Sequence, residues 1–257
     1  MEKIPLGPTG VEIPKIGFGT WEFSPGTGVI QRAVELDAGL VDTAESYGTE
    51  KIVGDDISGI RNQIFLATKV SAENLRYDDV LRHAQASLQQ LRIDTIDLYQ
   101  IHSPNPNISI TETMRAMSTL VKDGQVRYVG VSNFSVAEMK EAQDALGDIP
   151  LVSNQVRYNL FAREIEPYIL PYCQANNITV IAYSPLAKGD FDGHNALAEV
   201  AAETGRTEAQ VLLNWVVAHE GVIAIPKTGR VERVEETIRA VGWFLEPDQI
   251  RKLEALA

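Results

Sequence analysis

Cysteine is almost missing from this chain. Cys173 stands alone among 257 residues, so no intrachain disulfide can form. A chain this long buries a sizeable core without one, and a lone cysteine fits a reducing compartment, so the cytoplasm is the expected location. The four histidines are scattered and no cysteine pair exists, which leaves no zinc-type ligand set. No apolar run approaches the ~18 residues of a membrane-spanning helix, so no membrane partner is expected. Residues 1–20 hold Glu2, Pro5, Pro8, Glu12 and Pro14 and lack the apolar centre of a signal peptide. Positive charge is also in deficit. Lys+Arg 23 against Asp+Glu 35 leaves −12, a sign that repels phosphate backbones and argues against nucleic acid as a partner. Two motifs are missing as well. Gly17-Phe18-Gly19 runs on into Thr20-Trp21-Glu22, so the third glycine of a G-x-G-x-x-G dinucleotide fingerprint is absent. Ser132 and Ser184 lack a G-x-S-x-G setting.

What is present is a repeat of short apolar runs and amphipathic stretches. Residues 4–6 and 11–13 flank the turn-rich Gly7-Pro8-Thr9-Gly10, which reads as a hairpin. Apolar runs follow at 16–19, 40–41, 64–67, 96–101, 126–131, 151–153, 179–182 and 222–225. They mostly do not alternate, as expected of parallel strands buried on both faces. Between them, Val80, Ala84, Leu88 and Leu91 fall on one helical face. Ser109 with Glu112, and Ser135 with Glu138, have the spacing of capping boxes. Further helices are expected at 164–175, 196–204, 208–217, 231–241 and 247–256. Eight strands alternating with about eight helices, without a linker, predict a single domain over 1–257. Its expected fold is an α/β (β/α)8 TIM barrel with an N-terminal β-hairpin closing one end.

Barrel chemistry gathers where strands run out, and these strand ends are polar. Lys69 directly follows the apolar run 64–67, where an ammonium is costly unless paired. Asp42 ends the neighbouring strand at the same depth and is the expected partner. Tyr47, five residues on, is placed to fold over the mouth. A nearby Lys⁺ favours the phenolate and makes the phenol a better proton donor. His102 follows a buried strand and suits orienting a carbonyl. This set suits polarising a carbonyl while something delivers hydride. Paired glycosidase carboxylates fit less well, because Lys69 stands beside Asp42. A Schiff-base aldolase using Lys69 is the non-redox alternative. A redox reading needs a cofactor, and the later strand ends offer amides at Asn133 and Gln155 and a flat ring at Tyr183. Lys227-Thr228-Gly229-Arg230, with Arg233, leads into a helix beginning near Val231 and forms a candidate phosphate pocket.

Several ordered segments resemble the aldo-keto reductases, in particular the short prokaryotic-type members. They are Gly39-Leu40-Val41-Asp42-Thr43-Ala44-Glu45-Ser46-Tyr47-Gly48, Leu66-Ala67-Thr68-Lys69-Val70, Leu98-Tyr99-Gln100-Ile101-His102, Tyr128-Val129-Gly130-Val131-Ser132-Asn133-Phe134, Ala182-Tyr183-Ser184-Pro185-Leu186 and Ile225-Pro226-Lys227. The resemblance implies NADPH-dependent reduction of aldehydes, with ketones as a further class, and a catalytic tetrad of Asp42, Tyr47, Lys69 and His102. It implies cofactor contacts from Ser132, Asn133, Gln155, Tyr183, Ser184 and Leu186, with Lys227, Thr228 and Arg233 at the 2′-phosphate of NADPH. Glu236 would lie near the adenine, followed by Thr237 where the family often has Asn. NADH is a possible second cofactor, since some members use both. The chain stops at Ala257, soon after its last helix, so the family's long C-terminal substrate loop is not expected here. Trp21 and Phe23 are then the expected walls of an open pocket for a small carbonyl substrate, and a monomer is the family-based expectation. A non-catalytic NADP(H)-binding regulatory protein is the remaining alternative.

Overall fold

The computed structural model describes residues 1–191 and 193–256. A hairpin of β1 (Lys3–Pro5) and β2 (Glu12–Pro14) precedes eight parallel strands. These are β3 (Phe18–Gly19), β4 (Leu40–Asp42), β5 (Phe65–Val70), β6 (Ile96–Ile101), β7 (Val126–Ser132), β8 (Leu151–Arg157), β9 (Thr179–Tyr183) and β10 (Val222–Ala224), each beside its neighbour in sequence. The two edges meet through bridges Ile16–Ala224 and Gly19–Lys227. Gly17 N donates to Ala224 O at 2.9 Å and Gly19 N to Pro226 O at 3.0 Å across that seam. The fold is the expected (β/α)8 barrel with an N-terminal hairpin.

Helices cover the outside. They are α1 (Val29–Glu35), α2 (Glu50–Asp56), α3 (Tyr77–Leu91), α4 (Ile110–Lys122), α5 (Val136–Leu146), α6 (Ile169–Ala175), α7 (Asn195–Thr204), α8 (Glu208–Val217), α9 (Val231–Ile238) and α10 (Pro247–Glu254). All six residues of β6 are buried because helices and barrel interior take one face each. None of the described helices is long and apolar enough to cross a membrane.

Of three expectations about the helices, one holds and two do not. The capping box forms at Ser135, whose N–H donates to Glu138 Oε2 at 2.7 Å while its Oγ accepts from Glu138 N at 3.3 Å. It does not form at Ser109, whose side chain makes no cap bond. Glu112 Oε1 instead accepts the Tyr77 N–H at 3.0 Å, an amide in the first turn of α3 that has no partner inside its own helix. The helix expected at 164–175 begins only at Ile169. Pro167 disfavours helical backbone at Glu166, and 164–168 form turns.

The hairpin plugs the barrel. Leu6 and Ile13 pack with Leu40, Ala67, Leu98, Val152, Ile181 and Ile223. Burying each such side chain contributes roughly 1.5–3 kcal/mol. Gly7 turns the chain at φ +50°, and a Cβ there would lie 3.0 Å from the carbonyl oxygens of Val152 and Asn177. Its N–H donates to Thr179 Oγ1 at 2.9 Å, tying the plug to β9.

Candidate active site

Strand geometry builds the polar layer above that plug. Side chains two residues apart share a face. Leu40, Ala67 and Leu98 belong to the barrel interior, so Asp42, Lys69 and Gln100 come next on the same face. Pairing brings Asp42 beside Ala67 and Lys69 beside Gln100. Lys69 Nζ donates to Asp42 Oδ1 at 2.5 Å and to Thr43 O at 2.9 Å. The other carboxylate oxygen, Oδ2, accepts from Gln155 Nε2 at 2.7 Å and Gln100 Nε2 at 3.3 Å. The Lys69 side chain is 0% exposed, so its ammonium is committed to two acceptors. A Schiff-base nucleophile must be neutral and reachable, and this lysine has no line of approach from solvent.

Gln100 is one residue that sequence reasoning missed as a site member. Its signal was the spacing Leu98–Gln100, which repeats Ala67–Lys69 on the next strand. Gly130 makes room for it, since a Cβ there would lie 3.0 Å from Gln100 Cγ and 2.3 Å from Ser153 Oγ.

Tyr47 closes a single 3-10 turn, Glu45–Tyr47. Glu45 anchors that turn. Its Oε1 accepts from Ser71 N at 2.7 Å and Asn74 Nδ2 at 3.0 Å, and its Oε2 lies 2.7 Å from His83 Nδ1. The turn brings the Tyr47 ring centroid to 5.1 Å from Lys69 Nζ and 5.5 Å from the His102 ring, edge on. Ser46 Oγ lies 3.2 Å from His102 Nδ1. The four expected catalytic side chains therefore converge, and Asp42, Tyr47 and His102 line one cavity of about 800 Å³ with Lys69 directly behind.

The electrostatics at Tyr47 combine two opposed effects, and Lys69 acts in the expected direction. Burial raises the Tyr47 phenol above its ordinary range, and Lys69, although it pulls the other way, does not outweigh burial. The phenol is thus held protonated, as a proton donor must be. Burial, with Lys69 adding, holds His102 below the usual imidazole range, so it is neutral near pH 7.

Ser132, Asn133, Gln155, Tyr183, Ser184 and Leu186 also line the cavity. Pairing sets Ser132 beside Gln155. Asn133 adopts φ +61° and Ser184 φ +50°, left-handed backbone that aims each side chain at the mouth. Tyr183 Oη donates to Asn133 Oδ1 at 3.1 Å. Gln155 has its Nε2 taken by Asp42, so its free Oε1 is what an incoming carboxamide could meet. Lys227 and Arg233 line the same cavity. Thr228 and Glu236 lie outside the lining. Thr228 Oγ1 accepts from Arg230 N at 3.1 Å, and Glu236 O accepts from Gln210 Nε2 at 2.9 Å.

Trp21 lines the cavity and is 47% exposed. Phe23 does not line it. The chain turns after Thr20, with Phe23 N donating to Thr20 O at 3.1 Å, and the phenyl ring is buried with Val29, Ile30 and Val53 under α1 and α2. The other apolar walls are Tyr47, Leu186, Phe191, Ile225 and Pro226. No cluster of three His, Cys, Asp or Glu that could hold a metal occurs among the described residues.

A barrel with a tyrosine and a histidine facing a cavity of dinucleotide scale, a buried lysine behind them and cations in its lining, has the site of a carbonyl oxidoreductase. The chain belongs to the aldo/keto reductase family, whose model matches residues 15–257. It is 36% identical over 259 residues to the methylglyoxal reductase YeaE of Escherichia coli, covering 95% of this chain and 91% of that protein. Among solved structures, the thermostable aldo-keto reductase Tm1743 in complex with the inhibitor epalrestat superposes with TM-score 0.94 at 37% identity over 100% of both chains. An aldo-keto reductase from Klebsiella pneumoniae in complex with NADPH gives 0.90 at 32% identity, covering 100% of this chain and 95% of that one.

Proposed function

We propose that this protein reduces small aldehydes, 2-oxoaldehydes foremost, to alcohols with NADPH, and that Tyr47 gives the proton. The observation that carries this reading is the convergence of Asp42, Tyr47 and His102 on one cavity, with Lys69 buried against Asp42 behind it. When bound, NADPH supplies the hydride. The residues around its expected place suit it: Ser132, Asn133 and the Gln155 Oε1 for the carboxamide, the Tyr183 ring for the nicotinamide face, and Lys227 and Arg233 for the 2′-phosphate. Ser184 and Leu186 complete the lining. Thr228 and Glu236 contribute through the loop and helix that carry those two cations.

The remaining steps belong to the protein's own groups. His102, neutral, orients the carbonyl oxygen toward Tyr47. Tyr47 releases its proton to that oxygen as charge develops. Lys69 then stabilises the phenolate, because its ammonium is fully buried and its field is little screened on that side. Asp42, held by Lys69, Gln100 and Gln155, keeps the ammonium in place. The similarity to a methylglyoxal reductase favours a short dicarbonyl substrate, and the Trp21, Phe191 and Leu186 walls suit small, moderately apolar groups. Ketones are a second substrate class at lower rate. A single catalytic domain, acting as a monomer in the cytoplasm, completes the proposal. NADPH oxidation with methylglyoxal, simple aldehydes and ketones in parallel is the test. Steady consumption with the dicarbonyl is expected, and none with any carbonyl refutes the reductase reading.

A further inference from the structure

We propose that Glu22 weakens this chain's preference for the 2′-phosphorylated cofactor, by holding Lys227 and opposing the phosphate. The proposal rests on the reading of Lys227 as a 2′-phosphate contact.

The barrel seam creates the arrangement. Gly19 on the first parallel strand bridges Lys227, which follows the last. Thr20, Trp21 and Glu22 come directly after Gly19, so closing the barrel sets two residues 205 positions apart against each other. Glu22 Oε2 accepts from Lys227 Nζ at 3.0 Å, and both residues line the same cavity. The Lys227 ammonium also lies 5.4 Å from the Trp21 ring centroid, and Lys188 lies 5.3 Å from the same ring.

Folding gains little from this pair. The two side chains are 38% and 61% exposed, and solvent-exposed ion pairs contribute little to stability. Glu22 also sits at φ +53°, a backbone region that disfavours a residue with a Cβ. The same carboxylate, though screened, also acts on an incoming anion. A 2′-phosphate drawn to Lys227 meets a carboxylate within hydrogen-bond distance of the same nitrogen. An unphosphorylated ribose carries a 2′-hydroxyl instead, which can donate a hydrogen bond to the carboxylate. Both effects narrow the gap between NADP(H) and NAD(H). Arg233, at the same cavity, has no ion pair among the described residues and remains available to the phosphate.

The experiment measures dissociation constants of NADP+ and NAD+ by calorimetry for the parent, Glu22→Gln, Lys227→Met and the double variant. Removing one charge beside a screened phosphate predicts that Glu22→Gln tightens NADP+ by about three- to tenfold. NAD+ should change by less than about twofold or weaken. In the Lys227→Met background the effect of Glu22→Gln should shrink, because the two act on one another. Unchanged NADP+ affinity in Glu22→Gln overturns the proposal, as does equal tightening of both cofactors, which would place the carboxylate against the shared pyrophosphate. If Lys227→Met leaves the NADP+ to NAD+ ratio unaltered, the reading of Lys227 itself fails and the proposal with it, an outcome separate from a silent Glu22.

Discussion

Lys69 Nζ lies 2.5 Å from Asp42 Oδ1 with the two side chains only 0% and 3% exposed. An isolated charge at that depth would be prohibitive. The pair is tolerable because each member is further satisfied, Lys69 by Thr43 O and Asp42 by the Gln100 and Gln155 amides. What the pair does for the fold and what it does for the chemistry can be separated by substitution.

Lys69→Met keeps the stem and removes the cation. It leaves the Asp42 carboxylate buried with two amides alone, a situation that typically costs about 3–5 kcal/mol. Urea unfolding should show a loss of that order, and Asp42→Asn added to Lys69→Met should restore part of it. Turnover should stay low in both. Equal stability of Lys69→Met and the parent would mean that the pair is not a structural necessity.

Tyr47→Phe removes only a hydroxyl. The ring contact with His102 and the anchoring of the turn by Glu45 remain, so fold and NADPH affinity should be close to the parent. General acid catalysis typically contributes ~10²–10⁴-fold, and single-turnover hydride transfer should slow by about that factor. Because burial raises this phenol, the parent should keep Tyr47 protonated up to and beyond pH 10 in the cofactor-free state. Transfer at the parent rate in Tyr47→Phe removes Tyr47 from the role of acid.

For His102, burial and the field of Lys69 both disfavour the imidazolium, and Asp42, Glu45 and Glu73 do not compensate. Its titration in the cofactor-free protein, followed by NMR and assigned with His102→Gln, should have a midpoint below 6.5. The sign for stability follows. With the folded value depressed, the contribution of the neutral ring is complete above the unfolded imidazole pKa and is lost as pH falls through the folded one. His102→Gln should therefore lose less stability than the parent on acidification through that window. A midpoint at or above 6.5 would contradict this.

The barrel and the place of its four catalytic candidates were legible because both follow from short-range rules. Buried parallel strands read as apolar runs, and the residues just past them define the mouth. Lys69 announced itself by standing at the end of such a run. Phe23 departs from the expected pocket wall because the chain turns after Thr20 and carries the ring into the cluster with Val29, Ile30 and Val53. Glu112 misled because its caps compete: the Ser109 spacing is local, whereas the Tyr77 amide comes from another helix. Glu236 rests on resemblance alone, Thr228 on its place in the segment 227–230, and no local pattern fixes which side of α9 or its preceding loop meets the cavity. The Glu22–Lys227 contact lay beyond reach because only closure of the barrel brings its partners together.

Asp97 carries the last prediction, one that separates stability from catalysis. It is buried near the start of β6, where Oδ2 accepts from Leu66 N at 2.8 Å and meets Arg61 Nη2 at 2.7 Å, while Oδ1 meets Arg127 Nη1 at 3.1 Å. Arg61 also donates to the carbonyls of Ile64 and Thr95 at 2.8 and 2.9 Å. One carboxylate thus joins β5, β6, β7 and the turn before β5. Along the strand it lies three residues before Gln100, roughly 10 Å from the catalytic layer at ~3.3 Å per residue. Asp97→Ala strips a buried amide and a half-buried guanidinium of their acceptor and should cost about 3–5 kcal/mol. At this chain length each kcal/mol lowers Tm by roughly 2–4 °C. Asp97→Asn keeps an oxygen for Leu66 N and should fall between that variant and the parent. Below its lowered Tm, each variant should retain kcat and NADPH affinity near parental values, because nothing at the mouth has changed. Thermal unfolding followed by circular dichroism, with initial rates at 25 °C, checks both halves. Parental stability in Asp97→Ala would show that the carboxylate does not hold these strands together.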